Sequence, residues 1–215
     1  MLTSLVMIKR THKQNCSLAF AADIVSERWT LLIVRELLLK PCRYGELLTN
    51  LEGMGTNLLA SRLKELATLK LIEKNASRYQ LTPFGRALEP SVLNLIRWGL
   101  SLLPSSTNTN YLHRNEWDIL AMKALFNKLP SEFGAIVMQL NITDEQTDKA
   151  LVAWIEVCAE QFKFGFDQAH GKINVHWTKP LALLSTENPE QYLDDSAELP
   201  ALSNFLAAFK RANDL

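Results

Sequence analysis

Small and hydrogen-bonding side chains recur at helical spacing in residues 56–69. If this segment is a helix, one of its sides carries Asn57, Ala60, Ser61, Lys64 and Thr68. This set offers an amide, hydroxyls and a cation, and it contains no carboxylate. Such groups can hydrogen-bond to base edges and attract phosphates, whereas bulk or negative charge would keep a duplex away. We therefore expect this face to be a candidate DNA contact, and we add Thr56 at the helix start.

The opposite side of the same helix is apolar. It carries Leu58, Leu59, Leu63, Leu66 and Leu69, and this spacing predicts that they face the core. Arg62 falls among these leucines. Two interpretations of it remain open: its head pairs internally, with Glu46 or Glu65, or it contacts DNA directly.

The neighbouring segments predict the elements that position this helix. Helical periodicity covers residues 17–24, 28–38 and 43–51, and Gly53 lies in the turn that follows. Residues 71–74 and 78–81 predict two strands of a tight hairpin. Thr82 and Pro83 then form an N-cap and a first helical position, which predicts one long helix to about Leu102. Helix, glycine turn, helix and hairpin is the order of a winged helix-turn-helix.

Four further side chains are candidates for DNA contact in such a domain. Arg43 and Tyr44 begin the helix that precedes the polar helix, where they can hold a phosphate near a positive helix end. Lys74 and Arg78 flank the hairpin tip and can reach the backbone or the minor groove. The alternative for each of them is a solvated surface charge, and for any one of them taken singly that alternative is favoured.

Several motifs in this half resemble HxlR-type transcriptional regulators. In chain order they are Cys16-Ser17-Leu18-Ala19, Glu27-Arg28-Trp29-Thr30-Leu31-Leu32-Ile33, Arg43-Tyr44-Gly45-Glu46-Leu47, Leu59-Ala60-Ser61-Arg62-Leu63-Lys64-Glu65-Leu66, Tyr79-Gln80-Leu81-Thr82-Pro83-Phe84-Gly85 and Arg97-Trp98-Gly99. The resemblance covers roughly residues 15–100. It implies a bacterial winged-helix DNA-binding domain that dimerises through its terminal helices. In the family a glycine usually follows the recognition helix, where this chain has Lys70.

Cys16 matches an N-terminal cysteine that some family members use for redox or electrophile sensing. Such a role requires an accessible thiol of low pKa. The alternative is that Cys16 serves only as a small apolar side chain.

Charge and composition divide the chain near residue 104. Residues 1–104 hold 14 Lys and Arg against 8 Asp and Glu, a net charge of +6, whereas residues 105–215 hold 9 and 15, a net charge of −6. The segment from Leu103 to Asn110 is rich in Pro, Ser, Thr and Asn, as linkers are. We predict a winged-helix domain over residues 1–104, a linker over 105–110 and a second domain over 111–215.

The second half predicts an α+β fold with an antiparallel sheet. Apolar residues alternate over 136–142, 162–166 and 173–177, with a hairpin turn expected at 168–171 between the last two. Residues 151–157 read as a strand, although 144–160 can also be drawn as a helix. Aromatic residues stand in these strands: Trp154, Phe162, Phe164, Phe166 and Trp177. They form plain core, a pocket for a small hydrophobic effector, or a second dimer surface, so this half is expected to bind an effector or to dimerise. This half resembles, more weakly, the sterol-carrier-protein-2-like domain of some such regulators.

The remaining features exclude several function classes. The three cysteines have no CxxC spacing and the four histidines no ligand spacing, so we expect no metal site, and we expect no cofactor. No catalytic motif occurs, so we expect no enzyme. No apolar run approaches a membrane span, and the basic residues Lys9, Arg10 and Lys13 follow the short apolar stretch of residues 5–8, whereas in a secretory signal they precede it. Both observations favour a cytoplasmic protein.

The expected function is that of a dimeric regulator of transcription that binds double-stranded DNA. Two alternatives remain open. One is an apolar-ligand or lipid carrier whose DNA-binding domain is degenerate. The other is a protein-interaction module that has lost DNA binding, an alternative that the near-neutral charge of the whole chain permits.

Overall fold

The computed structural model describes residues 11–102, 112–126, 134–143, 150–166, 173–177, 189–193 and 196–213. Contacts divide the chain into two compact units, Met1–Val92 and Leu93–Leu215. This division falls ahead of the linker that we predict at residues 105–110, and that linker lies outside the described residues. The α+β fold class with a winged helix-turn-helix is confirmed.

The first unit contains four helices followed by a β-hairpin. The helices are α1 (Ser17–Val25), α2 (Thr30–Leu39), α3 (Tyr44–Asn50) and α4 (Thr56–Thr68). The strands are β1 (Cys42–Arg43), β2 (Ile72–Asn75) and β3 (Arg78–Leu81), which form an antiparallel sheet in the order β1-β3-β2. The core contains Leu37 of α2, Leu47 of α3 and the α4 leucines Leu59, Leu63 and Leu66, which are fully buried together with Ile33 and Ile72. The sequence did not predict β1, because a two-residue strand carries no periodicity.

Two predicted helix boundaries in this unit are wrong. α2 begins at Thr30 and not at Arg28, because Trp29 has φ +77°, which an α-helix excludes. The long helix predicted from Pro83 is interrupted, and the structure has α5 (Pro83–Arg86) and α6 (Glu89–Leu100) instead. Pro90 explains the break, because its ring clashes with the carbonyl four residues earlier and it has no N–H to donate.

The second unit contains one four-stranded sheet with helices before and after it. The elements are α7 (Asn115–Leu125), β4 (Ile136–Thr143), β5 (Ala150–Cys158), β6 (Gln161–Gly165), β7 (Ile173–Trp177) and α8 (Leu199–Asn213), with short 3₁₀ turns at Pro189–Tyr192 and Ser196–Glu198. The strand order is β6-β5-β4-β7. β4, β5 and β6 pair antiparallel, whereas β7 pairs parallel with β4.

This topology corrects two expectations. β6 and β7 do not pair as the hairpin that the sequence predicts, because these strands lie at opposite edges of the sheet. The turn residues themselves lie outside the described ranges. The alternative helix over residues 144–160 is wrong as well, because β5 occupies residues 150–158.

One face of the sheet forms the core of the second unit. Its buried strand residues pack with residues of α7 and α8, among which Phe205 and Phe209 are fully buried. The rings of Phe126 and Phe162 join this aromatic cluster, with centroids 5.7 Å apart. Among the described residues, no helix combines the length and the apolar character that crossing a bilayer requires.

Candidate nucleic-acid interface

The core holds α4 in a fixed rotation. Leu59, Leu63 and Leu66 follow the i, i+4, i+7 pattern and are at most 2% exposed. After the helix, Lys70 takes φ +59°, and the amides of Lys70 and Leu71 bond to the carbonyls of Ala67 and Leu66 at 3.0 Å. This is a Schellman motif, which normally has glycine at the position of Lys70. The buried leucines determine which face of α4 remains outside.

The outer face of α4 is the one that the sequence predicts. Asn57, Ser61 and Lys64 are all exposed, together with Thr56, Ala60 and Thr68. The Thr68 hydroxyl donates a hydrogen bond to the backbone carbonyl of Lys64 at 2.8 Å, and this bond does not involve the Lys64 side chain. The face therefore offers hydrogen-bonding groups and one cation toward solvent.

Leu58 departs from the prediction. It was expected in the core with the other leucines of α4, but it is 42% exposed. The reason is geometric. At 100° per residue, Leu58 lies 100° around the helix from Leu59, and this rotation takes it out of the buried leucine stripe and toward the face of Asn57 and Ser61.

Arg62 pairs internally, as one of the two open interpretations had it. Its guanidinium donates to Glu65 at 2.7 Å and to Glu27 at 2.9 Å, and only 12% of its side chain is exposed. Glu65 was an expected partner, but Glu27 was not, because it is 35 residues away and no local pattern connects the two. Glu46, the other expected partner, bonds elsewhere. Arg62 thus ties α4 to the segment between α1 and α2.

The start of α3 lies beside the start of α4. The Tyr44 hydroxyl donates to the Thr56 carbonyl at 2.7 Å, which joins the first residues of the two helices. The Arg43 side chain is exposed, while the Arg43 backbone amide donates a hydrogen bond to the Glu46 carboxylate. Arg43 therefore stays a candidate for DNA contact, and Tyr44 connects the two helices.

The two cations of the wing differ in their partners. Lys74 is exposed, and its ammonium lies 5.5 Å from the ring centroid of Tyr79. Arg78 donates to the Pro41 carbonyl at 2.8 Å and to the Glu46 carboxylate at 3.1 Å. Both cations stay candidates for DNA contact, but Arg78 also holds β3 against the start of α3.

Cys16 stands exposed as the N-cap of α1. Backbone amides of Ala19 and Leu18, in the first turn of the helix, lower the pKa of its thiol. Asp23, a buried residue of α1, holds the segment before Cys16. Its carboxylate accepts a hydrogen bond from the backbone amide of His12 and contacts the Nδ1 atom of the His12 ring. Burial by itself raises the pKa of Asp23, but the bonds from His12 and Thr11 outweigh it and hold the pKa below its ordinary value.

The aromatic residues of the second unit do not share one pocket. Phe162 is buried in the core, and Phe164 and Phe166 pack against that core with ring centroids 5.8 Å apart. Trp154 alternates with the buried Ala153 and Ile155 and lies on the other face of the sheet, over Gly165. Trp177 ends β7 opposite Ile142, and its side chain lies outside the described residues.

A depression of about 440 Å³ does lie on the second unit, lined by Leu93, Lys123, Phe126, Glu160, Gln161, Phe162 and Lys163. Among the four candidate ligand-binding aromatic residues whose side chains the structure describes, only Phe162 contributes to it. Within the described ranges, no three His, Cys, Asp or Glu residues are grouped as a metal site requires.

Comparison with known proteins places this domain among bacterial regulators. The family model described as HxlR-like helix-turn-helix matches residues 24–107. The HTH-type transcriptional regulator MT3179 of Mycobacterium tuberculosis is 38% identical over 95 residues, which are 41% of this chain and 60% of that protein. The chain thus spans about three fifths of the length of that relative.

Two further similarities concern proteins of Bacillus subtilis. The HTH-type transcriptional regulator YvaP is 31% identical over 93 residues, which cover 40% of this chain and 86% of YvaP. The solved structure of quinone-bound YodB is 28% identical and covers 39% of this chain and 96% of YodB, with a TM-score of 0.38. The curated relatives carry names of transcriptional regulators and not of enzymes. The resemblance of the second half to a sterol-carrier-protein-2-like domain stays a prediction.

Proposed function

The chain belongs to the HxlR-like helix-turn-helix family of transcriptional regulators, and on this basis we propose that it binds double-stranded DNA as a homodimer through α4. The observation that carries the proposal is the outer face of α4. Leu59, Leu63 and Leu66 of α4 are buried, whereas the polar residues of its outer face are exposed to solvent. A helix of this kind fits the width of the major groove, where base edges are readable.

The contacts divide into two kinds. Asn57 and Ser61 have groups that hydrogen-bond to bases, whereas Lys64, Arg43 and Lys74 are cations suited to phosphates. Thr56 stands between them at the first position of α4. Because the cations displace counterions from DNA, the affinity falls steeply as the salt concentration rises.

The proposed dimer rests on exposed apolar side chains of the terminal helices. On α6, Leu95 and Trp98 are 47% and 64% exposed, and on α1 Leu18 is 75% exposed. Exposed apolar side chains on a helix can pack against a second copy of the chain, because a two-fold axis brings the same surface of both copies together. In a two-fold dimer, the two α4 helices reach major grooves about 34 Å apart, one turn of DNA.

Two finer parts of the proposal concern signals. Cys16 is the candidate for sensing oxidants or electrophiles, because it is exposed and the pKa of its thiol is lowered. The depression that includes Phe162 is the candidate site for a small hydrophobic effector, since Phe126 and Leu93 also line it. A regulator of this kind acts where the chromosome is, so we propose a cytoplasmic location.

Selection of genomic DNA by the purified protein, with and without oxidant, tests the proposal. We expect one enriched sequence with two related half-sites, retarded in a gel shift at low salt and released as salt rises. Enrichment no better than for random DNA, together with no gel shift at low salt, would contradict it. The same protein, extracted and analysed by mass spectrometry, would then reveal whether it carries a lipid instead.

A further inference from the structure

Leu58 is an apolar side chain on an otherwise polar surface of the DNA-binding helix. It is 42% exposed, whereas Leu59, the next residue, is fully buried. Within α4, Leu58 is the exposed large hydrophobic residue; the other leucines of the helix are buried. A leucine that remains this exposed contributes less to the core than its buried neighbours do, and its outer part is accessible to a ligand.

The surroundings of Leu58 determine what it can contact. Its helix-surface neighbours are Ser61 and Arg62, three and four residues later. The Arg62 guanidinium forms ion pairs with Glu27 and Glu65, so this flank of α4 carries two carboxylates around one cation. Carboxylates repel phosphates, and the flank is therefore unsuited to the DNA backbone.

The major groove offers one apolar group, which is the C5-methyl of thymine. Leu58 follows Asn57, whose amide has the geometry to pair with adenine, the base that faces thymine in the duplex. Both residues lie in the first turn of α4, the end of a recognition helix that contacts base edges. An exposed leucine at this place matches a thymine methyl in size and in polarity.

We propose that Leu58 contacts a thymine methyl and makes the protein select thymine at one position of each half-site. The inference rests on the proposed function, in which α4 enters the major groove. It goes beyond that function because it names a base and the side chain that reads it.

Replacement of thymine by uracil tests the contact, since it removes the methyl and leaves every hydrogen-bonding group in place. In the selected site, each thymine is replaced in turn and the affinity is measured by fluorescence anisotropy. At one position of each half-site we expect a loss of roughly fourfold, the value of one buried methyl group. The variant Leu58→Ala binds more weakly than the wild type, and its affinity is the same for thymine and uracil at that position.

Leu32→Ala is the matched control, because Leu32 is also an exposed leucine, 40% exposed, but it lies on α2. This variant retains the sensitivity to uracil. The melting temperature of Leu58→Ala stays at the wild-type value, which separates a lost contact from a lost fold.

Three results overturn the inference while the proposed function stands: a selected half-site without thymine, no position sensitive to uracil, or a sensitivity that persists in Leu58→Ala. A protein that binds no DNA at all overturns the proposed function itself. The two failures are therefore distinguishable in one series of titrations.

Discussion

Lys64 is the residue of α4 on which the electrostatics of the proposed interface depend. It is exposed in the middle of the outer face, between the hydrogen-bonding residues and the end of the helix. We expect Lys64→Glu to abolish measurable DNA binding, because the new carboxylate faces phosphates. The free energy of unfolding should change by less than about 0.5 kcal/mol, as for other exposed positions. Gel shift and chemical denaturation measure the two effects.

Lys163→Glu is the control for this charge reversal. It makes the same change in net charge at an exposed lysine of the second unit, whose ion pair with Glu156 is long at 3.7 Å. Its DNA affinity should stay close to that of the wild type. Equal losses in the two variants would mean that net charge, and not the outer face of α4, governs binding.

At Cys16, the lowered pKa leads to a prediction about pH. The amides of Ala19 and Leu18 favour the thiolate, so Cys16 ionises at a lower pH than an ordinary thiol. Its alkylation by iodoacetamide should therefore reach half of its maximal rate at a pH below about 8.5, the ordinary value. Mass spectrometry of the peptide follows the reaction, and Cys16→Ser identifies the signal. A midpoint at or above the ordinary value would contradict the proposed sensor.

At the scale of elements, α5 packs against the end of α4 through a glycine. A Cβ built on Gly85 would lie 1.9 Å from the Leu71 carbonyl oxygen, so no side chain fits there. Because that oxygen also accepts a bond from the Thr82 amide at 3.1 Å, it cannot move freely. We expect Gly85→Ala to lower the free energy of unfolding by about 1–3 kcal/mol, the usual cost of overpacking.

Gly99→Ala is the matched control, because no described atom lies within 4 Å of a Cβ at Gly99 in α6. Alanine has a higher helix propensity than glycine, so the free energy of unfolding of this variant, measured in urea, should be about 0.5–1 kcal/mol higher. If both substitutions had the same effect, the close approach of α5 to Leu71 would not be a determinant of the fold.

At the scale of the whole molecule, the proposed dimer leads to a prediction about α6. Trp98 is 64% exposed, so Trp98→Glu should leave the fold of a single chain intact while it places a charge in the interface. We expect monomers in sedimentation experiments at micromolar concentration. The affinity for a two-half-site duplex should fall roughly a hundredfold, because each helix then binds separately.

Val152→Glu makes the same kind of change on the sheet of the second unit, where Val152 is 41% exposed. This variant should sediment as the wild type does. A Trp98→Glu protein that still sediments as a dimer would exclude α6 from the interface, and the exposed apolar residues of α1 would then be the next to test.

Periodicity predicted most elements correctly, since each is a local property. The leucine spacing of α4 and the alternation of β4 and β6 involve residues within one helix or one strand, so each pattern could be read directly. Helix ends were less predictable. The positive φ of Trp29 has no local cause in the sequence, whereas Pro90 was a visible sign of the break between α5 and α6.

The exposed face of α4 was predictable from the sequence, but the ion-pair partners of its residues were not. Asn57, Ser61 and Lys64 are exposed as the helical pattern predicts. The pairing of Arg62 with Glu27 was not predictable, because the two residues are 35 positions apart and only the packing of α4 brings them together. The place of Trp154 on the far side of the sheet, by contrast, follows from its alternation with Ala153 and Ile155 within β5.

Sequence alone thus determined the family, the winged helix-turn-helix and the polar face of α4, because each depends on side chains spaced a few residues apart. Tertiary structure decided which cations have internal partners and which leucine of α4 remains outside. It also decided that β6 and β7 lie at opposite edges of their sheet. These properties arise from contacts between distant segments, and such contacts form only when the burial of apolar surface brings the segments together.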